Sequence, residues 1–372
     1  MGNPILQFGT SRFLQAHVDL FVAEALRCEP PKALGCITVV QSTSNVESRN
    51  RINALRASNV YPVRIRGRQA DTTVDSTVHC NAITEALTAD DDWPTLRDRI
   101  RHDVKVIVSN TGDTGYVSFS EDVSRGFEGY AAPRGFPAKL AVLLHNRFIA
   151  GGEPITLLPC ELISHNGDTL RDAVIGIARQ WHANDAFMLY LQHDCVWINS
   201  LVDRIVSEPI YPVGAIAEPY ALWAIERQEN MILPCEHKDI VLTNELSHYE
   251  RLKLLLLNLG HTVLAELWLA NQSPADMNVL NAMRNNAWRE ILEAVWQEEV
   301  LPVFAALGKQ DAARAYLLDV RDRFENPFLD HRLADIARNH LEKKQRRFKP
   351  AIDLARELGL NIEQRWLVAA LA

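Results

Sequence analysis

Short apolar runs alternate with stretches of helical periodicity along the first part of the chain. The runs with the length and composition of buried strands are PILQF (4–8), GCITVV (35–40), VKVIVSN (104–110) and PITLLP (154–159). An amphipathic pattern from about Phe13 to Leu26 follows the first run, and another begins near Thr169 after the last. Because short buried strands that alternate with helices form parallel sheets, this pattern predicts an α/β domain with both faces covered.

Two further segments depart from that alternation. VYPVRIRG (60–67) and TTVDSTVHCN (72–81) alternate apolar and polar positions on either side of a polar turn, which predicts an antiparallel excursion. From about residue 245 onward the periodicity is almost wholly helical. At 372 residues the chain is long enough for two domains.

Composition narrows the classes of partner. A net charge of −8 and a pI near 5.9 argue against nucleic acid and anionic membranes as the main partner. No uncharged apolar run approaches about 18 residues, so we expect no membrane span and a cytoplasmic protein. The six cysteines are scattered without a CxxC pair, and the histidines form no HExxH pattern, so we expect reduced thiols and no metal site.

The segment KLLLLNLGH (253–261) places three polar residues in a run of leucines. At about 100° per residue, Asn258 lies roughly 140° and His261 roughly 80° from Lys253, so all three share one side of a helix. The rest of this helix is apolar nearly all round, which indicates that it is buried. Buried polar groups cost free energy unless they find partners, so these residues either pin the packing or serve a site.

The first strand leads through Gly9 into a helix, which is where a dinucleotide pyrophosphate binds in many α/β proteins. The full G-x-G-x-x-G pattern is absent, because Gly9, Ser11 and Leu14 occupy the three positions. The turn alone therefore fits either a nucleotide site or an ordinary strand–helix connection. The second strand ends at Gln41, where an acidic residue would mark NAD specificity, so the sequence leaves NAD and NADP both open.

Taken together, several segments resemble the polyol-specific long-chain dehydrogenases, the mannitol dehydrogenase family. They are FGTSRFLQAHVD (8–19), VSNTGDTG (108–115), PCELISHNGDTL (159–170), NSLVDRIV (199–206), KLLLLNLGHT (253–262) and RFENPFLDHRLADIA (323–337). The resemblance covers nearly the whole chain, and its most specific element is K-x4-N-x2-H, met by Lys253, Asn258 and His261. PCELI, SLVDRIV and NPFLDHRLADIA are most similar to the tagaturonate reductase branch.

This resemblance implies a Rossmann-like domain over residues 1–242 and a mainly helical substrate domain over 243–372, with the active site in the cleft between them. It also implies an NAD(P)-dependent oxidoreductase of a sugar acid or polyol, with tagaturonate/altronate as the best guess. Lys253 would be the general acid/base, since apolar surroundings disfavour its charged form. Asn258 would stabilise the developing alkoxide. His261 would orient the substrate hydroxyl or the lysine.

The remaining site residues also follow from the resemblance. The cofactor, NAD with NADP left open, would contact Phe8, Gly9, Ser11, Phe13, Gln41, Asn110 and Val202. The substrate would contact Asp203, Arg323, Lys343 and Arg347, and the last two cations suit a carboxylate. From its position alone, Asn110 fits a turn-forming asparagine equally well.

The chain departs from the family pattern in two places. Ser11 replaces the second glycine of the turn, and Gln15 replaces the arginine of the family's G-x-G-x-F-x-R-A. Leu162 replaces the asparagine of the C-D-N pattern of mannitol dehydrogenases, which argues against mannitol. Two alternatives remain open: a catalytically silent nucleotide-binding metabolite sensor, and a dehydrogenase of neutral polyols.

Overall fold

The computed structural model describes residues 2–112 and 115–372 and divides into two compact units. The first comprises Met1–Arg64, Ser76–Ala217 and Ala221–Leu246. The second comprises Ile65–Asp75, Glu218–Tyr220 and Ser247–Ala372. Two short segments from the first part of the sequence therefore belong to the second unit, and the chain does not divide at a single point.

Strands are concentrated in the first unit. In chain order they are β1 (Ile5–Phe8), β2 (Ile37–Gln41), β3 (Tyr61–Gln69), β4 (Thr72–Cys80), β5 (Ile83–Thr88), β6 (Val106–Ser109), β7 (Ile155–Pro159), β8 (Cys195–Trp197), β9 (Ser200–Asp203), β10 (Val206–Pro209), β11 (Ala215–Ala217), β12 (Leu222–Glu226) and β13 (Ile240–Thr243). The helices of this unit are α1 (Arg12–Gln15), α2 (Val18–Leu26), α3 (Val46–Ala57), α4 (Trp93–His102), α5 (Phe136–Ile149), α6 (Asn166–Gln180) and α7 (Asp185–His193), with a 3₁₀ turn at Ser120–Asp122.

The main sheet has six parallel strands in the order β5-β2-β1-β6-β7-β8. Every residue of β1, β2, β6 and β7 is buried, as expected for strands covered by helices on both faces. Smaller sheets have the orders β10-β11-β3-β4 and β13-β12-β9. The predicted α/β class with a Rossmann-like parallel sheet is confirmed.

The helix expected over Phe13–Leu26 is interrupted, and that prediction was wrong in detail. α1 ends at Gln15, and His17 adopts φ −128° and ψ −93° before α2 begins. The buried imidazole Nε2 lies 3.0 Å from the Leu222 carbonyl oxygen. Burial lowers the pKa of His17 to about 3, so the ring is neutral and Nε2–H donates to that carbonyl. A tertiary contact thus coincides with a break that helical periodicity does not show.

The second unit is built from helices, as the periodicity predicted. They are α8 (Leu246–Leu252), α9 (Leu259–Ala270), α10 (Val279–Arg284), α11 (Asn286–Ala294), α12 (Leu301–Ala306), α13 (Gln310–Phe324), α14 (Leu333–Ile336), α15 (His340–Arg347), α16 (Lys349–Glu357) and α17 (Arg365–Leu371). Two π-helical turns interrupt them: the first π turn, Lys253–Asn258, joins α8 to α9, and the second π turn, Val295–Val300, joins α11 to α12.

The continuous helix over Leu246–Ala270 is long and apolar enough to cross a membrane by length and composition alone, although no such run was expected from the sequence. Within the protein, however, 67% of its apolar window is buried. Its leucines form the centre of the hydrophobic core of the second unit together with Trp296, Phe304 and Phe324. That burial is what the core helix of a globular unit shows.

The two early segments of the second unit bind the end of α13. Arg323 forms a buried ion pair with Glu218, with 2.9 and 3.0 Å between charged atoms and both side chains 2% exposed. Its guanidinium also lies 4.4 Å from the centre of the Tyr220 ring. A Cβ on Gly67 would stand 2.5 Å from Pro219, so only glycine allows this approach. Buried ion pairs are costly to break, so this pair joins Glu218–Tyr220 to α13, while the Ala70 N–H of the other segment donates to Asp322 of α13 at 2.7 Å.

Replacing Arg323 with methionine should lower the free energy of unfolding by about 3–5 kcal/mol, because one partner of a buried ion pair would be removed. Arg346→Met is the control, since the ion pair of Arg346 with Glu342 is exposed and should contribute about 0–1 kcal/mol. Urea unfolding followed by circular dichroism measures both. A loss for Arg323→Met no larger than that of the control would contradict the assignment.

Candidate active site

Three predicted cofactor residues gather at one edge of the parallel sheet. Gly9, Gln41 and Asn110 stand at the carboxyl ends of β1, β2 and β6, which are neighbouring strands. Along the chain, β2 and β5 are added on one side of β1, and β6, β7 and β8 are then added on its other side. The place between β1 and β6 is therefore the switch point where ligands bind in open α/β sheets. The sequence order alone could not show this neighbourhood, because it depends on how the strands are arranged.

Gly9 adopts φ +122°, a conformation that other residues rarely take. A Cβ here would lie 2.6 Å from the carbonyl oxygen of Asn110 and 3.1 Å from Leu14. The Gly9 N–H donates to the Val40 carbonyl oxygen (3.0 Å), and the Asn110 N–H donates to the Phe8 carbonyl oxygen (2.9 Å). Glycine is therefore required for the chain to turn between the two strand ends.

Ser11 caps α1, which is only four residues long. Its hydroxyl oxygen accepts from the Leu14 N–H at 3.2 Å, which leaves its O–H hydrogen available to a ligand. Gln15 donates to the Thr10 carbonyl and accepts from the Gly214 N–H, so its side chain is used internally. A cleft of 830 Å³ opens beside this turn, lined in part by Ser11, Arg12 and Arg51.

The other predicted cofactor residues differ in their surroundings. The Phe8 ring is fully buried and packs against Phe136 at 5.2 Å, whereas the partly exposed Phe13 ring stacks on His17 at 4.9 Å. The Gln41 amide nitrogen donates to the carbonyls of Thr43 and Asn45, while its Oε1 is buried and has no hydrogen-bond partner within the described part of the chain.

A network around Glu161 holds the loop after β6, and the sequence patterns gave no sign of it. The buried carboxylate accepts from the N–H and hydroxyl of Thr111, from Ser109 and from Tyr116, all at 2.9–3.1 Å. The Asn110 side chain donates to the Cys160 carbonyl at 2.8 Å. Asn110 is thus held by its own side-chain hydrogen bond and by those of the loop that follows it. Asp113 and Thr114 of its motif lie outside the described residues.

Val202 and Asp203 belong to a different sheet of the first unit. Both are buried in β9, where they oppose Trp223 and Leu222 of β12. Leu162, which stands where mannitol dehydrogenases have an asparagine, is 67% exposed. Among the residues that the structure describes, no group of three or more acidic, histidine or cysteine side chains could hold a metal ion.

In the second unit, Lys253 and Asn258 are the first and last residues of the first π turn. The N–H of Leu259 donates to Leu254, five residues earlier, which is the π-helical pattern. The angles expected from α-helical spacing therefore do not apply between Lys253 and Asn258. Both side chains are half-buried rather than enclosed, and π turns of this kind are frequent at functional sites.

The first π turn is supported by Trp296 of the second π turn. The indole Nε1–H donates to the Leu256 carbonyl at 3.1 Å. Gly260 permits this contact, because a Cβ there would lie 2.6 Å from the Trp296 ring. The second π turn itself precedes Pro302 in the first turn of α12, whose missing N–H breaks the regular α-helical ladder.

Two predicted substrate cations lie beside this turn. Arg347 donates to the Asn258 carbonyl at 3.2 Å and to the Thr262 hydroxyl at 3.0 Å, and Lys343 donates to the Ile336 carbonyl at 2.7 Å. Burial and the charge of Arg347 lower the pKa of Lys343, and burial also lowers the pKa of Arg347. Within the described ranges neither cation pairs with a carboxylate. Such a pair of cations favours an anionic ligand.

His261 is buried and lies among aromatic rings, 4.3 Å from Phe324 and 4.8 Å from His331 between ring centres. His331 belongs to the quoted motif but was not selected from the sequence. Arg323, selected as a substrate residue, has its guanidinium engaged by Glu218 in the ion pair described above. The side-chain amide of Asn258 makes no hydrogen bond with the part of the chain that the structure describes.

Comparison with known proteins extends this picture. The family model of the mannitol dehydrogenase Rossmann domain matches residues 3–234, and that of the mannitol dehydrogenase C-terminal domain matches residues 245–372. An altronate oxidoreductase of Halalkalibacterium halodurans is 28% identical over 94% of this chain and 70% of its own length. One of Bacillus subtilis is 28% identical over 94% of this chain and 74% of its own length.

Solved structures agree on the fold. A D-sorbitol dehydrogenase in substrate-free form superposes with a TM-score of 0.82 at 18% identity, over the whole of this chain and 80% of that one. A Pseudomonas fluorescens mannitol 2-dehydrogenase, in a ternary complex with NAD and D-mannitol, gives 0.75 at 19% identity, over 99% of this chain and 78% of that one. Since both domain models match in order along almost the whole sequence, the chain belongs to the mannitol dehydrogenase family of oxidoreductases.

Proposed function

We propose that the protein is an NAD-dependent oxidoreductase that interconverts a secondary alcohol and a ketone of a sugar acid, with altronate and tagaturonate as the substrate pair. The observation that carries the proposal is the pair of cations, Lys343 and Arg347, which lie beside the Asn258 turn and pair with no carboxylate of the described residues. Relatives named altronate oxidoreductase, which act on a sugar acid by name, support the same class of substrate.

The residues at the sheet edge fit a dinucleotide. Gly9 leaves the backbone bare where the first strand turns, and the Ser11 O–H is free to donate to a phosphate oxygen. Gln41 stands at the end of β2, the position from which a side chain contacts the ribose in dinucleotide-binding folds. Gly9, Ser11, Gln41 and Asn110 are the residues that would hold the cofactor.

In the proposed oxidation, Lys253 removes the proton from the substrate hydroxyl as general base. The nicotinamide ring, when bound, supplies the acceptor for the hydride that leaves the same carbon. The free amide of Asn258 donates to the oxygen as it gains negative charge. His261, held by its aromatic neighbours, orients the hydroxyl. In the reverse direction the protonated Lys253 returns the proton to the ketone oxygen.

Lys343 and Arg347 bind the carboxylate of the substrate in this scheme. Arg347 is already fixed to the Asn258 carbonyl and to Thr262, so its guanidinium loses little side-chain freedom when the anion arrives. Because Arg347 contacts the backbone of Asn258, binding of the carboxylate is connected to the residue that stabilises the reacting oxygen. A neutral polyol offers no charge for these cations.

The proposal predicts that altronate is oxidised far more efficiently than mannitol or sorbitol when aldonates, uronates and polyols are compared with both cofactors. Lys343→Gln and Arg347→Gln should lower kcat/KM for altronate by about ten-fold or more, the scale of a hydrogen bond between charged groups. Activity on polyols should change little, and Arg346→Gln is the matched exposed control. Equal efficiency on mannitol and altronate would refute the sugar-acid assignment. If no substrate is turned over, the alternative of a catalytically silent metabolite sensor would be favoured.

Lys253→Ala should reduce turnover by at least about two orders of magnitude, the usual scale of general-base loss. Binding of NADH should stay near that of the parent protein, as measured by quenching of tryptophan fluorescence. Lys349→Ala provides the control, since Lys349 is an exposed lysine of the same unit. If purified Lys253→Ala keeps most of its activity, another residue carries the proton.

Gly9→Val should abolish NADH binding, because the added side chain would occupy the turn against the Asn110 carbonyl. Ser11→Gly should keep or tighten binding, because the backbone at that position becomes bare as in the family pattern. Calorimetry with NADH and NADPH measures both variants, and thermal unfolding shows whether Gly9→Val is folded. Failure of the parent protein to bind either cofactor at millimolar concentration would overturn the proposed function.

A further inference from the structure

His331 is a partly exposed histidine whose backbone is fixed from both sides. Its carbonyl accepts from the Val279 N–H at 3.0 Å, and the next residue, Arg332, forms a bridge with Asn278. Its ring lies 4.8 Å from that of His261, at an interplanar angle of 62°. The imidazole is therefore held at the predicted catalytic histidine, although none of the roles assigned so far uses it.

The two ring nitrogens of His331 are not equivalent. Nδ1 is buried and has no hydrogen-bond partner among the residues that the structure describes, so the exposed part of the ring is on the Nε2 side. Nδ1 is unsatisfied in either neutral tautomer, but only the tautomer with the proton on Nε2 presents an N–H donor to an anionic ligand. The proton of the neutral ring is therefore placed on Nε2, the nitrogen that a ligand can reach.

The charges around the ring keep it neutral. Burial lowers the pKa of His331 most, and Asp335 opposes this effect. The positive charges of Lys343, Arg323 and Arg347 lower it further. Asp335 is itself paired with Arg338 at 2.7 Å, which reduces its influence on the ring. At neutral pH the imidazole of His331 is thus an uncharged N–H donor that is influenced by the charges of Lys343 and Arg347.

We propose that His331 is a specificity-determining residue that donates its Nε2–H to the carboxylate of the sugar-acid substrate, beside Lys343 and Arg347. This inference rests on the proposed function, since it concerns the same substrate. A carboxylate offers about four acceptor positions, more than two cations fill. A neutral imidazole adds a hydrogen bond without adding a third positive charge to the cluster. A hydrogen bond to a carboxylate is roughly twice as strong as one to a hydroxyl, so sugar acids gain more than polyols.

A matched pair of substitutions tests the assignment of the nitrogen. The amide nitrogen of glutamine can replace Nε2, whereas that of asparagine is too short and replaces Nδ1. His331→Asn should raise KM for altronate by about ten-fold or more, the scale of one hydrogen bond to a charged group. It should change kcat much less and leave KM for mannitol nearly unchanged. His331→Gln should stay within a few-fold of the parent. Equal loss in both variants, or equal loss on altronate and mannitol, would overturn the proposal.

Two measurements on the parent protein need no folded variant. Nitrogen NMR of protein with ¹⁵N-labelled histidine should show His331 as the neutral Nε2–H tautomer, and altronate, but not mannitol, should shift its Nε2 signal. A Nδ1–H tautomer, or no shift with bound altronate, would overturn the inference alone. Altronate that binds through His331 without being oxidised would overturn the proposed reaction alone. If altronate does not bind at all, both proposals are overturned.

Discussion

The contact between the two π turns is the constraint on which the predicted catalytic side chains depend. The Trp296 indole donates to the Leu256 carbonyl, inside the turn that begins at Lys253 and ends at Asn258. Gly260 lets the following helix approach the indole, since any side chain there would overlap it. A π turn lacks the regular α-helical hydrogen bonds, so external donors are needed to hold it. Arg347 provides another, on the Asn258 carbonyl.

In the first unit, a separate set of contacts holds the predicted cofactor residues. Three strand ends carry Gly9, Gln41 and Asn110, and the buried Glu161 accepts four hydrogen bonds that fix the loop beyond Asn110. The departure of Ser11 from glycine is accommodated because its oxygen caps α1. Gln15, in the place of the family arginine, ties the turn to Gly214. The side chains of Ser11 and Gln15 thus both find hydrogen-bond partners within the protein.

Sequence patterns predicted the parallel sheet and the helical second unit because these depend on periodicity, which is local. They also predicted Lys253, Asn258 and His261, through a spacing shared with a family. They could not predict the break at His17 or the π turn, because each depends on a distant partner. Arg323 shows the limit most clearly: its sequence motif marks it as important, but only the structure shows that Glu218 holds its guanidinium. His331 was missed because its unpartnered nitrogen is a property of the packed protein.

The discontinuous make-up of the second unit has a consequence for biosynthesis. Ile65–Asp75 and Glu218–Tyr220 leave the ribosome long before α13, yet they belong to the same compact unit. Until α13 is synthesised, the buried ion pair between Arg323 and Glu218 cannot form. A fragment that begins at Ser247 would therefore lack two of the segments that its compact unit contains, and both come from the part of the chain made first.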